Sequence, residues 1–202
     1  KHKDSIPILE KAVVIDGSCF GAWLALGNGW RDIGEVSRAV FCYRKSIDAS
    51  PSFVDSYLNL GGLLKDEGRL SEAIASYQKA IQVKPDFAEA YLNLGNVLKE
   101  EGDLEEAITN YRKAIEVKPG FVAALSELAS ELVKRDEFEE AISLYKRALV
   151  EDPEHVNSSS GLGLCFLKSD RLEEGIEYYL NLLVTSPNNT DALFFLFEAL
   201  RG

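Results

Sequence analysis

The chain has 202 residues, 46% of them hydrophobic and 27% charged, and no apolar run approaches the ~18 residues of a membrane-spanning helix, so neither disorder nor a spanning anchor fits. Lys plus Arg number 22 against 33 for Asp plus Glu, and a net charge of −11 repels phosphate backbones and argues against nucleic acid as a partner. Cys19, Cys42 and Cys165 are odd in number and far apart. They fit neither a disulfide framework nor a metal knuckle, and they point to free buried thiols in a reducing, intracellular and cytoplasmic setting.

The chain opens with Lys1-His2-Lys3-Asp4, which runs straight into an amphipathic segment without the pattern of a signal peptide. It contains no Met, so it reads as a piece of a longer protein. A period of 34 residues then dominates: Pro51, Pro85, Pro119, Pro153 and Pro187 keep that step, as do Tyr43, Tyr77, Tyr111, Tyr145 and Tyr179. Ala39, Ala73, Ala107 and Ala141 keep it too, with Gly175 in the fifth place, and so do Leu26, Leu60, Leu94, Leu128 and Leu162. The residue after each of those leucines is Gly27, Gly61, Gly95, Ala129 or Gly163. Such self-similarity is the mark of a solenoid of stacked units.

In chain order, residues 1–19 match the second half of a repeat, with Leu9 and Ala12 at packing positions and Gly17 in the proline place. Full copies follow at 20–53, 54–87, 88–121, 122–155 and 156–189, and 190–202 match the first half of another, so one solenoid covers the chain. Each copy predicts two helices. In 88–121, Tyr91, Leu94, Gly95 and Leu98 form one helical stripe, and Leu104, Ala107, Ile108, Tyr111, Ala114 and Ile115 form the next. Gly102 separates them, as do Gly34 and Gly68, and the turn-tolerant Asp136 and Asp170 stand in the corresponding places. Asp86 with Glu89 predicts a capping box at the first helix, and Ser52 with Asp55 a weaker one. Proline then ends the second helix, because it cannot continue the hydrogen-bond ladder. Gly61, Gly95, Ala73 and Ala107 fall where two helices must approach closely. The copy at 156–189 departs most, with Ser159 for the aromatic, Gly175 for Ala and Leu182 for Ala, so its packing is expected to be the loosest.

Catalytic and metal-binding patterns find structural explanations. His2 and His155 lack ligand spacing, so no metal or other cofactor is expected. Glu105-Glu106, Glu139-Glu140 and Glu173-Glu174 recur in the first turn of the second helix, where acids complement the macrodipole. Gly161-Leu162-Gly163 lies inside a repeat helix and not in a phosphate-binding loop.

The pattern resembles the tetratricopeptide repeat: aromatic-x-x-Leu-Gly, a large residue, Ala-x-x-x-aromatic, then Pro. Trp23, Leu26, Gly27, Trp30, Ala39, Tyr43 and Pro51 carry it in the first full copy, and Tyr57, Leu60, Gly61, Leu64, Ala73, Tyr77, Ala80 and Pro85 in the second. The resemblance implies an all-α, right-handed superhelical solenoid of antiparallel helix pairs, working as a non-enzymatic protein-binding scaffold. The segment Tyr91-Leu92-Asn93-Leu94-Gly95-Asn96 is most similar to the repeats of O-GlcNAc transferase-type and SPINDLY-type proteins.

Stacked repeats leave a continuous concave surface for a partner. With the buried stripe at repeat positions 4, 7, 8 and 11, positions 2, 6, 9 and 13 point the opposite way at about 100° per residue. Position 6 holds Ala25, Asn59, Asn93, Glu127 and Gly161, and position 9 holds Asn28, Gly62, Asn96, Ser130 and Leu164. Asn28, Asn59, Asn93 and Asn96 thus share one face. An amide both donates and accepts, so such a ladder suits the backbone of an extended peptide; the alternative is a solvated face that tolerates Asn. The resemblance to O-GlcNAc transferase-type superhelices implies a similar asparagine ladder. Asp55 and Glu89 at position 2, with Asp32, Asp66 and Glu100 at position 13, flank it with acid before Lys134 and Lys168 reverse the sign. This suggests a basic or Ser/Thr-rich ligand, or else a solubility coat. A cochaperone-type carboxylate clamp is not matched: Leu24, Asn28, Asn59, Glu89 and Asn93 stand at its positions, without its cations.

Residues Leu193 to Phe197 are too apolar for a solvated cap, so either a longer protein continues here or the surface self-associates. The favoured function is a scaffold binding an extended segment in the groove. The alternatives are the substrate-recruiting arm of a glycosyltransferase-like enzyme and an assembly subunit that oligomerises through its ends.

Overall fold

A computed structural model describes residues 2–169, 171–185, 187 and 190–201. It is all helical, with no strand among the described residues. The helices are α1 (His2–Ile15), α2 (Phe20–Asp32), α3 (Val36–Ala49), α4 (Val54–Asp66), α5 (Leu70–Val83), α6 (Ala88–Glu101), α7 (Leu104–Val117), α8 (Val122–Lys134), α9 (Phe138–Glu151), α10 (Val156–Lys168), α11 (Leu172–Thr185) and α12 (Thr190–Arg201). The all-α solenoid expectation is thus met as to helices packed in consecutive pairs: α2 on α3, α4 on α5, α8 on α9 and α10 on α11. The residues form two compact units, 1–110 and 111–202.

In the first unit the small residues have a steric reason. A Cβ on Gly27 would lie 2.6 Å from the Tyr43 ring, and one on Gly61 would lie 2.7 Å from the Tyr77 ring. Tyr43 is fully buried, and Ala39, Ala73 and Ala80 have no exposed surface. The aromatics near the starts of α2 and α4 bond back to the connecting loop: Trp23 Nε1 donates to the Gly17 carbonyl at 2.8 Å, and Tyr57 Oη to that of Pro51 at 3.2 Å. Buried Ser46 donates to the Phe20 carbonyl at 2.8 Å and shares a 2.7 Å hydrogen bond with Ser56, tying two copies together. Gly34, Gly68 and Gly102 take φ of 80°, 72° and 93° between the helices of their pairs. These are left-handed values that glycine adopts without a Cβ penalty.

The second unit repeats the scheme with substitutions. Asp136 turns its pair at φ 60°, as a short polar residue can. Asp170 lies outside the described residues, as does the side chain of His2. A Cβ on Gly163 would come within 2.1 Å of the Tyr179 ring. Ser159, in the aromatic place, hydrogen-bonds Tyr178 Oη at 2.9 Å, and Tyr178 packs on Phe166 with ring centroids 6.1 Å apart. The aromatic missing from α10 is supplied by α11.

Two expectations are corrected. The capping boxes do not form: the N-cap residues of α4 and α6 are Phe53 and Phe87, and neither cap makes a side-chain hydrogen bond. The N-cap lies one residue after the proposed one in each case, because the residue beside the buried stripe, an apolar one in these copies, occupies that place. The same place holds Cys19, which is exposed, whereas Cys42 and Cys165 are buried and their thiols are pushed up to about 11 by desolvation. In α10 that place is taken by His155, whose Nδ1 accepts from the Ser158 amide at 3.3 Å.

The glutamate pairs occupy the first turns of α7, α9 and α11. Glu72 holds the equivalent place in α5, and acids here find arginine partners on the preceding copy that the sequence pattern does not display. Arg44 pairs with Glu72 at 3.4 Å in the first unit, and Arg112 grips Glu140 with two nitrogens in the second, one at 3.1 Å.

Candidate functional site: the asparagine face of the first unit

Three asparagines come together in the first unit. Asn59, Asn93 and Asn96 line one cavity of about 360 Å³ with Arg31, Leu58, Gly62, Leu63, Lys65, Asp66 and Tyr77. The three asparagines are half-buried, on α4 and α6. Their spacing explains the convergence. Asn59 and Gly62 are three residues apart on α4, as Asn93 and Asn96 are on α6, so each pair lies on one face.

Asn28 sits beside this cavity in a different role. Its Oδ1 accepts from Tyr43 Oη at 2.7 Å and from Asn59 Nδ2 at 3.1 Å. Its carboxamide therefore satisfies a buried tyrosine and orients the next amide in the row. This leaves Asn59 presenting its Oδ1. Asn93 makes no side-chain hydrogen bond among the described residues.

The charged positions distribute unevenly. Asp66 ends α4 on the cavity rim and forms no ion pair among the described residues. Glu100 pairs with Lys65 at 3.5 Å, and Asp32 with Arg31 at 3.2 Å, so cations at position 12 offset part of the acidic edge. Asp55 is exposed and Glu89 half-buried, each in the first turn of its helix. In the second unit, Glu127 is half-buried on α8, Lys134 is exposed and bonds Glu131 at 2.8 Å, and Lys168 is exposed in the last turn of α10.

Two apolar features stand apart from the asparagine face. A cavity of about 570 Å³ is lined by Val13, Val14, Trp23, Leu26, Trp30 and Phe41 among others, with Arg38 stacked 4.4 Å from the Trp30 ring. On α12, Leu193, Phe194 and Phe197 are exposed, while Phe195 stacks on Tyr179 at 5.7 Å. Among the described residues, no group of His, Cys, Asp and Glu is placed to hold a metal ion, and no helix is long and apolar enough to cross a membrane.

Paired helices in 34-residue step, with small residues seated on buried tyrosines, define a helical-repeat protein. The family models give its kind: residues 61–102 match a TPR repeat model, and residues 88–121 and 126–190 match tetratricopeptide repeat models. The chain carries tetratricopeptide repeats. No curated protein matches it in sequence. Among solved structures it is similar to PilF of Pseudomonas aeruginosa, with a TM-score of 0.81 and 22% identity over 98% of this chain and 90% of that one. It is also similar to YrrB, a TPR protein with an unusual peptide-binding site, with a TM-score of 0.73 and 19% identity over 92% and 96% of the two chains. A third likeness is to MamA, with a TM-score of 0.72 and 24% identity over 81% and 90%. Identities this low establish the shared fold.

Proposed function

We propose that the chain is a protein-interaction scaffold that holds an extended segment of a partner against the face built by α2, α4 and α6. The observation that carries this reading is the convergence of Asn59, Asn93 and Asn96 on one cavity. Carboxamides that donate and accept can bond a peptide backbone whatever its side chains. The peptide-binding site named for YrrB supports the same class of ligand. Tetratricopeptide repeats are generally non-catalytic scaffolds, and no reaction is assigned. Asp55, Asp66, Glu89 and Glu100 favour a basic or Ser/Thr-rich segment, with Arg31 and Lys65 moderating the field. The likeness of the middle copies to O-GlcNAc transferase-type repeats supports the same face as a recruiting surface should a catalytic domain accompany it.

A peptide array selects the tightest extended ligand, which is then measured against the Asn59→Ala, Asn93→Ala double variant. Loss of two amide contacts, each worth about 1 kcal/mol, weakens binding roughly tenfold or more at unchanged helix content. Unchanged affinity would remove the asparagines from the binding face.

The exposed Leu193, Phe194 and Phe197 favour a second reading, self-association through α12. Sedimentation over a range of concentrations tests it. A mass that does not rise with concentration excludes it.

A further inference from the structure

Tyr43, Tyr77, Tyr145 and Tyr179 are all buried, and three of their hydroxyls find partners within the chain. Tyr43 bonds Asn28, Tyr145 bonds Ser130, and Tyr179 donates to the Ser160 carbonyl at 3.2 Å. Asn28 and Ser130 both stand at position 9. The corresponding residue opposite Tyr77 is Gly62, and the Tyr77 hydroxyl makes no hydrogen bond among the described residues. Tyr77 as a residue is only 2% exposed, yet it lines the asparagine cavity.

Packing accounts for Gly61 and does not account for Gly62. A Cβ on Gly61 would press to 2.7 Å from the Tyr77 ring, but one on Gly62 would meet only the Tyr77 hydroxyl, at an ordinary 3.7 Å. A glycine inside a helix costs roughly 0.5–1 kcal/mol relative to alanine. The second glycine therefore weakens α4 without relieving any contact. What it does create is an opening through which the Tyr77 oxygen faces the cavity.

The groups around that opening favour a cation. Asn59 gives one of its two Nδ2 hydrogens to Asn28, which fixes the amide with its Oδ1 unpaired among the described residues. Asp66, on the same cavity, forms no ion pair among the described residues, whereas Arg31 and Lys65 are bonded to Asp32 and Glu100. We propose that the notch at Gly62 is a subsite for a primary ammonium, the end of a lysine side chain of the bound segment, held by Tyr77 Oη, Asn59 Oδ1 and the Asp66 carboxylate. Burial, and after it the charges of Asp66 and Glu100, pushes the Tyr77 hydroxyl up to about 12, which keeps it neutral and in a negative field. This deepens the peptide-binding reading and rests on it for the identity of the ligand.

The test uses the whole chain and two probes. The first is n-butylammonium chloride, with n-butanol as the uncharged control, followed through the side-chain amide NMR signals of Asn59 and Asn93. The second is a pair of acetylated, amidated Gly/Ser peptides with lysine or norleucine at the centre. The expected result is that butylammonium shifts both amides and butanol does not, and that the lysine peptide binds roughly tenfold more tightly than its norleucine twin. Gly62→Asn fills the notch with the partner that Tyr43 already has, and should abolish both effects. Tyr77→Phe removes one oxygen at constant packing and should weaken them, which keeps the test decisive if Gly62→Asn fails to fold. Amides unmoved by butylammonium, or moved alike in wild type and both variants, would overturn the subsite. If the lysine peptide loses its advantage in Gly62→Asn while both peptides still bind, the subsite is supported and the groove stands. A notch that responds to butylammonium while neither peptide binds supports the subsite and counts against the peptide groove.

Discussion

The two compact units are built on the same buried tyrosine and differ in what stands over its hydroxyl. In the second unit, Ser130 serves Tyr145, and Leu164 takes the place above Tyr179, which turns to a backbone carbonyl. In the first unit an amide, Asn28, serves Tyr43, and a glycine leaves Tyr77 open to a cavity lined by further amides. The packing grammar is common to both and accounts for Asn28 over Tyr43, but it does not account for Asn59 and Asn93 on the cavity. A partner-binding surface is therefore best sought where the shared scheme is broken, and only the first unit gathers amides there.

The comparison can be broken most forcefully at the tyrosines. Tyr43→Ala and Tyr145→Ala should each cost about 3–5 kcal/mol, as large-to-small changes at fully packed aromatic sites do, measured by urea unfolding followed by circular dichroism. A loss in one unit without a comparable loss in the other would mean that the tyrosine is not the shared support. Next in size, Asn28→Ala strands the hydroxyl of a fully buried tyrosine and should cost about 1–3 kcal/mol, whereas Asn93→Ala should stay within about 0.5 kcal/mol of wild type. Equal losses at the two positions would erase the distinction between a supporting amide and a presenting one.

The smallest effect sharpens the comparison at the outer surface. Glu140 hydrogen-bonds Arg112, which holds its carboxyl below the ordinary glutamate range. A lowered folded-state value stabilises the fold above the unfolded pKa and is lost as pH falls through the folded one. Because both side chains are partly exposed, Arg112→Ala should cost less than about 1 kcal/mol at neutral pH, and the difference should fade in acid and in high salt. A difference that persists in acid would mean that Arg112 acts through packing.

Much of the fold was legible because a period of 34 residues fixes which side chains meet. The stripe containing Leu60, Gly61 and Leu64 and the turns at Gly34, Gly68 and Gly102 follow from it. The convergence of Asn59, Asn93 and Asn96 also followed from helical angle alone. What angle could not supply was occupancy. Position 9 borders core and groove, so a tyrosine arriving from the second helix can claim an amide that the helical wheel assigns to the ligand, as Tyr43 does with Asn28. Capping failed for a related reason: the loop seats Phe53 and Phe87 at the helix starts, and local polar residues yield to that burial. The pairs of Arg44 with Glu72 and Arg112 with Glu140 join residues 28 apart, a spacing that no single-helix pattern displays.

Within each unit, every helix-to-helix contact described joins elements at most two places apart in chain order. Closing a core of this kind requires no distant segment to find its place, and local topologies of this sort fold quickly. On the ribosome, a pair such as α2 and α3 can bury its stripe as soon as α4 has left the exit tunnel, while the later copies are still untranslated.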